Sequence, residues 1–339
     1  MPTRVIQVNS DAPEPALIAE AADILRAGGL VAFPTETVYG LGANALDAAA
    51  VARVFAAKGR PAKNPLIVHV AELELAVNLV PHWPEAAAQL SKRFWPGPLT
   101  LVLERKPSIP DIVTAGGPTV ALRMPAHRVA LALLRAAQIP VAAPSANRST
   151  YLSPTRAEHV LSGLDSRIDL LLDAGSTPGG IESTVLDLTT SPPRLLRPGL
   201  IALADLEVAV GKIDQSPVAE TLRSPPLKSP GMLQRHYAPR AKLDGVEKEA
   251  MARALEHARN GLSTSLLTFG PSATAPNPFL TIVAMPTEPG RYAAQLYAAL
   301  HECDRAGANR IVVALPPDRP EWLAVRDRLK KASTAPDSN

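Results

Sequence analysis

The sequence predicts an α/β (α+β) protein of two domains, and three observations carry that reading. Short apolar segments alternate with helical periods from residue 14 to residue 331, which sets buried strands among flanking helices. The chain has 339 residues, beyond the roughly 250 to 300 at which single cores stop growing. The stretch RSPPLKSPGMLQRHYAPRAK (223–242) interrupts the alternation with four prolines, five Lys or Arg and no acid, the composition of a linker. The expected organisation is a catalytic-sized domain at 1–207, a basic Pro-rich linker at 208–241, a small Rossmann-like α/β domain at 242–332 and a polar tail at 333–339.

The elements follow in order. Leu17, Ile18, Ala21, Ile24 and Leu25 recur at helical spacing from Glu14, and Gly28-Gly29 supplies the stop. LVAFP (30–34) reads as a buried strand. A second helix opens on Asp47 as N-cap, buries Val51, Val54 and Phe55, and closes at Lys58 with Gly59 as its left-handed cap. Strands are expected at 66–70, 99–103, 119–123, 139–143, 168–173 and 183–188, with helices near 85–94, 126–137 and 154–163. Beyond the linker the order is helix 246–260, strand 263–269, strand 280–285, helix 289–305, strand 310–315 and helix 320–331.

Composition excludes several classes. Lys plus Arg (35) against Asp plus Glu (32) leaves only +3, and aromatics are 4%, so neither charge nor base-stacking material demands a nucleic acid. The single cysteine, Cys303, forms no internal disulfide and reads as a small buried hydrophobe in a helix. The seven histidines show no HxxxH or HExxH spacing, so no protein metal site is expected. No apolar run reaches the ~18 residues of a membrane span, and MPTRVIQVNSD lacks the apolar core of a signal peptide. No membrane partner and a cytoplasmic location are expected. The 35 prolines, about twice the ordinary ~5% share, sit mostly at the edges of apolar segments and read as stiff connections.

Polar segments cluster at the strand ends: PTETVYGLG (34–42), KGRPAKNPL (58–66), PSANRST (144–150), GGIEST (179–184) and LRPG (196–199). Ligands of open α/β sheets bind outside such ends, and Lys58, Arg60, Arg123 and Arg197 fall there, as an anion pocket requires. Each residue also has a bland reading. Lys58 and Arg60 bracket a helix C-terminus and complement its dipole. Arg123 ends a strand and reads equally as a surface residue. Thr35 and Thr37 satisfy a turn after proline. His69 is a core-edge histidine, Asn147 a left-handed turn residue, and Ser153-Pro154 has the form of an N-cap followed by proline at N1. GxxxxGK[ST], GxSxG and a full dinucleotide fingerprint are all missing, so spacing alone stops at a phosphate or nucleotide pocket.

Taken in order, PTETVYGLG, KGRPAKNPL, SAN followed by SPT, GGIESTVLDL, LLRPG and SPGMLQRHYAP resemble the YrdC-like family, in its two-domain threonylcarbamoyl-AMP synthase form. The resemblance runs through residues 14–240. It implies a YrdC-like twisted mixed sheet with flanking helices, and a nucleotidyl transfer that makes L-threonylcarbamoyladenylate and pyrophosphate from L-threonine, bicarbonate or CO2, and ATP. A downstream threonylcarbamoyl transferase complex would then modify tRNA beside the anticodon, so tRNA is an indirect partner. The family pattern places Thr35, His69, Arg123, the Ala143 backbone and Ser183 around threonine. It places Lys58, Arg60, Asn64, Thr119, Ser145, Ser153, Arg197 and Tyr237 around ATP, with Lys58 and Arg60 as the catalytic cations and Mg2+ held through the phosphates. The linker with His236 and Tyr237 corresponds to the family's lid. Where relatives carry glycine soon after SAN, this chain has Arg148-Ser149-Thr150, whose Cβ atoms alter that loop. The rival reading is a non-catalytic RNA-binding YrdC-like module.

Overall fold

The structure is a computed structural model that describes residues 2–216, 236–271 and 277–333. Two compact units divide the chain. The first takes Met1–Ser149, Pro154–Pro178 and Glu182–Met232, and the second takes Thr150–Ser153, Gly179–Ile181 and Leu233–Asn339.

The first unit runs β1 (Arg4–Gln7), α1 (Pro15–Arg26), β2 (Val31–Pro34), β3 (Tyr39–Asn44), α2 (Ala48–Lys58), β4 (Ile67–His69), α3 (Leu73–Asn78) and α4 (Glu85–Phe94). It continues with β5 (Leu99–Glu104), α5 (Asp111–Thr114), β6 (Thr119–Arg123), α6 (Arg128–Ala137), β7 (Val141–Ala142), α7 (Ala157–Leu164), β8 (Leu170–Asp173), β9 (Thr184–Asp187), β10 (Arg194–Arg197) and α8 (Leu203–Val210). The strands form one mixed sheet in the order β1-β8-β2-β3-β7-β4-β6-β5-β9-β10, with helices flanking it as the sequence predicts. Two-residue alternation decides which face each side chain joins. Val68, Leu101, Leu103, Val120, Leu122 and Leu186 enter the largest core cluster, whereas Ile67, Val102, Ala121 and Val185 form a separate small apolar floor.

Helix α2 is built as its sequence directs. Asp47 accepts from the Ala49 and Ala50 amides, and Gly59 closes the helix at φ 63°. That cap fixes where Lys58 stands.

The second unit holds β11 (Lys242–Val246), α9 (Ala250–Arg259), β12 (Thr264–Phe269), β13 (Leu280–Met285), α10 (Pro289–Arg305), β14 (Arg310–Ala314), a 3-10 turn (Pro320–Trp322) and α11 (Leu323–Ser333). Its sheet order is β11-β14-β12-β13 with every pair parallel. The first strand lies at the edge, whereas the dinucleotide-binding order places it centrally. Cys303 is buried on α10.

Several expectations change. PTETVYGLG, read as a polar loop, contributes strand β3; its glycines suit close packing, since a Cβ on Gly42 would come within 2.8 Å of the Phe33 ring. KLDGV is a strand, so the helix expected from 246 starts at Ala250. Ser153 is no cap: α7 begins at Ala157 with Arg156 at the N-cap position. Helix α8 crosses the expected boundary at 207, and both Leu206 and Ile213 join the first unit's core. Most of the expected linker, 217–235, and residues 334–339 of the tail lie outside the described residues. Thr150 takes φ 70°, a left-handed conformation that is rare for a β-branched residue.

Asp47→Ala should lower stability by about 1 kcal/mol, read as a lower denaturant midpoint at unchanged slope; an unchanged midpoint would show that the cap does not set α2.

Candidate active site

Strand register assembles the site in the first unit. On β6, Thr119, Ala121 and Arg123 share one face while Val120 and Leu122 point into the large core. Parallel pairing sets His69 of β4 beside Arg123, and antiparallel pairing sets Val141 of β7 on the other side of His69. Ala143 follows on the same face, with its amide donating to the Ile67 carbonyl at 2.9 Å. On the far side of Arg123, Thr100 and the Ser183 hydroxyl are 2.8 Å apart. Polar side chains therefore run as a transverse row over the Ile67, Val102, Ala121, Val185 floor. Thr119 and Arg123 stand four residues apart on one strand, roughly 13 Å, so the face is long enough for two ligand ends.

At the Arg123 end the bland readings give way. Arg123 is 4% exposed, no surface residue. Its Nε donates to the Gly97 carbonyl at 3.3 Å, and its Nη2 donates to Thr37 Oγ1 at 3.0 Å and to Glu36 Oε1 at 2.6 Å. Thr35 does serve its turn, since its hydroxyl donates to the Val38 carbonyl and accepts from the Thr37 and Val38 amides. It also meets the Thr37 hydroxyl at 2.7 Å, which ties the turn to Arg123. His69 is buried with no hydrogen-bond partner for Nδ1 among the described residues. Burial, seconded by the Arg123 charge, lowers its pKa to about 3, so the imidazole is neutral at physiological pH.

The other cations are equally buried. Lys58 sends Nζ to the carbonyls of Ser145 and Asn147. Burial, then the neighbouring Arg60 charge, pushes its pKa well below the usual lysine range, while those carbonyl oxygens favour the ammonium. Arg60 donates to the Asn64 carbonyl at 2.9 Å and the Pro65 carbonyl at 2.7 Å. The bonds of Lys58 cross to another loop, so dipole complementation of α2 does not explain that cation. Asn64 is completely buried, and neither atom of its side-chain amide has a partner among the described residues. Orphaned buried amides are costly and call for a partner. Arg197 donates from Nε to the Ser183 carbonyl and from Nη2 to the Ser183 hydroxyl, each at 3.0 Å. It requires close backbone approach: a Cβ on Gly199 would fall 2.3 Å from the Thr184 nitrogen.

Eleven of the thirteen residues expected in the site thus belong to the first unit: Thr35, Lys58, Arg60, Asn64, His69, Thr119, Arg123, Ala143, Ser145, Ser183 and Arg197. Ser153 and Tyr237 belong to the second. There Ser153 offers its carbonyl to His301 Nε2 at 3.1 Å, and Tyr237 is 1% exposed with the Arg328 guanidinium 5.1 Å above its ring. Asn147 is absent from the residues with positive φ; Thr150 takes the left-handed turn instead. Glu36, Thr37 and Thr100 were not assigned site roles from sequence. An acid held between two threonines in PTET was the available signal for Glu36.

Buried guanidinium and lysine side chains together with a polar strand row form the candidate active site of an α/β enzyme. A family model described as telomere recombination matches residues 23–199, and one described as the C-terminal domain of threonylcarbamoyl-AMP synthase matches 201–334. Threonylcarbamoyl-AMP synthases of Pyrococcus abyssi and Bacillus subtilis are 44% and 43% identical, over 92% and 93% of this chain and 93% and 92% of theirs. A crystal structure of P. abyssi Sua5 complexed with L-threonine matches with a TM-score of 0.90 at 42% identity, covering 98% of both chains. The chain belongs to the threonylcarbamoyl-AMP synthase family.

His69 links the site to acid stability. The unfolded chain protonates this imidazole below its ordinary value of 6.5, whereas the folded protein resists to about 3. Its stability contribution is therefore complete above 6.5 and is lost as pH falls, at up to about 1.4 kcal/mol per pH unit. Denaturant titrations at pH 7 and pH 5 should show wild type losing more stability than His69→Asn; parallel losses would refute the assignment.

Proposed function

We propose that the polypeptide condenses L-threonine, bicarbonate or CO2, and ATP into L-threonylcarbamoyl-AMP and pyrophosphate. The observation that carries this reading is the single sheet face with a neutral histidine and a paired arginine at one end and buried cations beside it. The Arg123 end suits the threonine carboxylate, with Thr35, His69, the Ala143 backbone and Ser183 around the rest of the amino acid. The threonine amine adds to CO2 and loses a proton, giving an N-carboxylate. An oxygen of that carboxylate attacks the α-phosphorus of ATP, and pyrophosphate leaves.

Lys58, Arg60 and Arg197 are the groups suited to the charge that develops on the phosphates, and the free amide of Asn64 is suited to a nucleotide oxygen. Their donors are already oriented by carbonyls of the surrounding loops, so little reorganisation remains at the moment of transfer. The Ser145 carbonyl accepts from Lys58, and the nucleotide role of Thr119 rests on the family pattern. The nucleotide roles of Ser153 and Tyr237 rest on the family pattern alone. Among the described residues no three His, Cys, Asp or Glu side chains converge as a metal cage. Mg2+ would be carried by the ATP phosphates and water, where it would neutralise phosphate charge.

We infer further that a downstream threonylcarbamoyl transferase consumes the mixed anhydride and passes the group to tRNA, and that the reaction is cytoplasmic. No helix of the described residues is long and apolar enough to cross a membrane.

The purified protein should release pyrophosphate from ATP only when L-threonine and bicarbonate are both present. Lys58→Ala should cut that rate roughly 10- to 150-fold, the loss of one charge-assisted contact, while its far-ultraviolet dichroism stays unchanged. Salt-sensitive RNA binding with no such turnover would favour a binding module instead.

A further inference from the structure

Glu36 is an acid bonded directly to Arg123, the proposed carboxylate-binding cation of the first unit's row. Its Oε1 lies 2.6 Å from Arg123 Nη2, with side-chain exposures of 13% and 5%. Its Oε2 accepts the Ala126 amide at 3.0 Å. The carboxylate thus ties the β2–β3 turn to the segment between β6 and α6, and it compensates the guanidinium. No bond among the described residues uses Arg123 Nη1, whereas Nε and Nη2 are both engaged.

The charge balance has a chemical meaning. An isolated buried arginine would attract any carboxylate. Paired with Glu36 and flanked by a neutral His69, the Arg123 end carries no net charge. A bare carboxylate entering there meets the guanidinium with much of its field already cancelled, and repulsion from Glu36 at short range. A zwitterion meets both: its carboxylate faces the arginine, and its ammonium, one carbon away, faces the acid. Each carboxylate oxygen retains lone-pair capacity beyond the bond it already accepts.

We propose that Glu36 is the specificity-determining residue that makes this subsite select an α-amino acid zwitterion over a carboxylic acid of the same shape. The inference rests on the reading that Arg123 receives the threonine carboxylate. It assigns the selection to Glu36, with Arg123 supplying affinity for either ligand.

Calorimetry on the full chain tests it with two ligands, L-threonine and 3-hydroxybutyrate, which keeps the carboxylate and the hydroxyl and lacks the amine. In Glu36→Gln, threonine should bind at least about tenfold more weakly, whereas 3-hydroxybutyrate should bind as well as to wild type or better. The preference ratio would collapse. Glu36→Asp retains the charge, and its ratio should stay near wild type even if both affinities fall; this variant decides the matter should the glutamine protein fail to fold. Equal weakening of both ligands in Glu36→Gln, no change in either, or a lost ratio in Glu36→Asp would overturn the proposal and leave Glu36 a structural tie. A wild-type protein that ignores threonine altogether would instead remove the substrate reading on which the inference stands.

Discussion

The register between β4 and β6 is the constraint on which the rest depends. Because side chains on paired strands alternate together, one alignment decides at once that Val68 and Leu122 feed the large core and that His69 and Arg123 face the floor. A slip of one residue would bury the guanidinium among leucines and expose the apolar set. The hydrophobic pattern therefore serves the chemistry: burying Val120 and Leu122 puts Arg123 on the site face, where Gly97, Thr37 and Glu36 orient its guanidinium.

Such a placement requires that buried cations be satisfied without ligand. Lys58, Arg60 and Arg197 meet the requirement largely with backbone carbonyls, at Ser145, Asn147, Asn64, Pro65 and Ser183. Carbonyl dipoles stabilise a buried charge without carrying a charge of their own. At Arg123 a carboxylate does this work as well, because Glu36 pairs with the guanidinium.

Much of this was legible in the sequence, for reasons that differ by element. Helix α2 came out with its true limits because Asp47 and Gly59 act locally, within one turn of the chain. Strand β6 was legible because TVALR is buried on both faces and bounded by proline. β3 was not, since YGLGAN looks polar and flexible until Phe33 and Val141 are seen against Gly42. β11 was hidden by KLDGV, whose edge position tolerates Asp and Gly and leaves little apolar signal. The site cations were visible as residue types at strand ends. Their partners were not, because Glu36 and Arg123 are 87 residues apart and only tertiary pairing joins them.

The same limit explains why Ser153 read as a helix cap. Local pattern assigned the Ser-Pro pair to the helix that follows, yet residues 150–153 belong to the second unit. There the Thr150 carbonyl accepts the Ala238 amide, Tyr151 bridges to Ala238, and the Ser153 carbonyl faces His301. Gly180 is bound to that unit as well, since a Cβ would fall 2.3 Å from the Ala293 carbonyl oxygen. The second unit is thus a discontinuous body that recruits two short segments from within the sequence of the first. Their conformations, including the left-handed Thr150, are set by contacts more than 80 residues away. A segment with its partners so distant in sequence carries little local code, because the contacts that fix its conformation are all non-local.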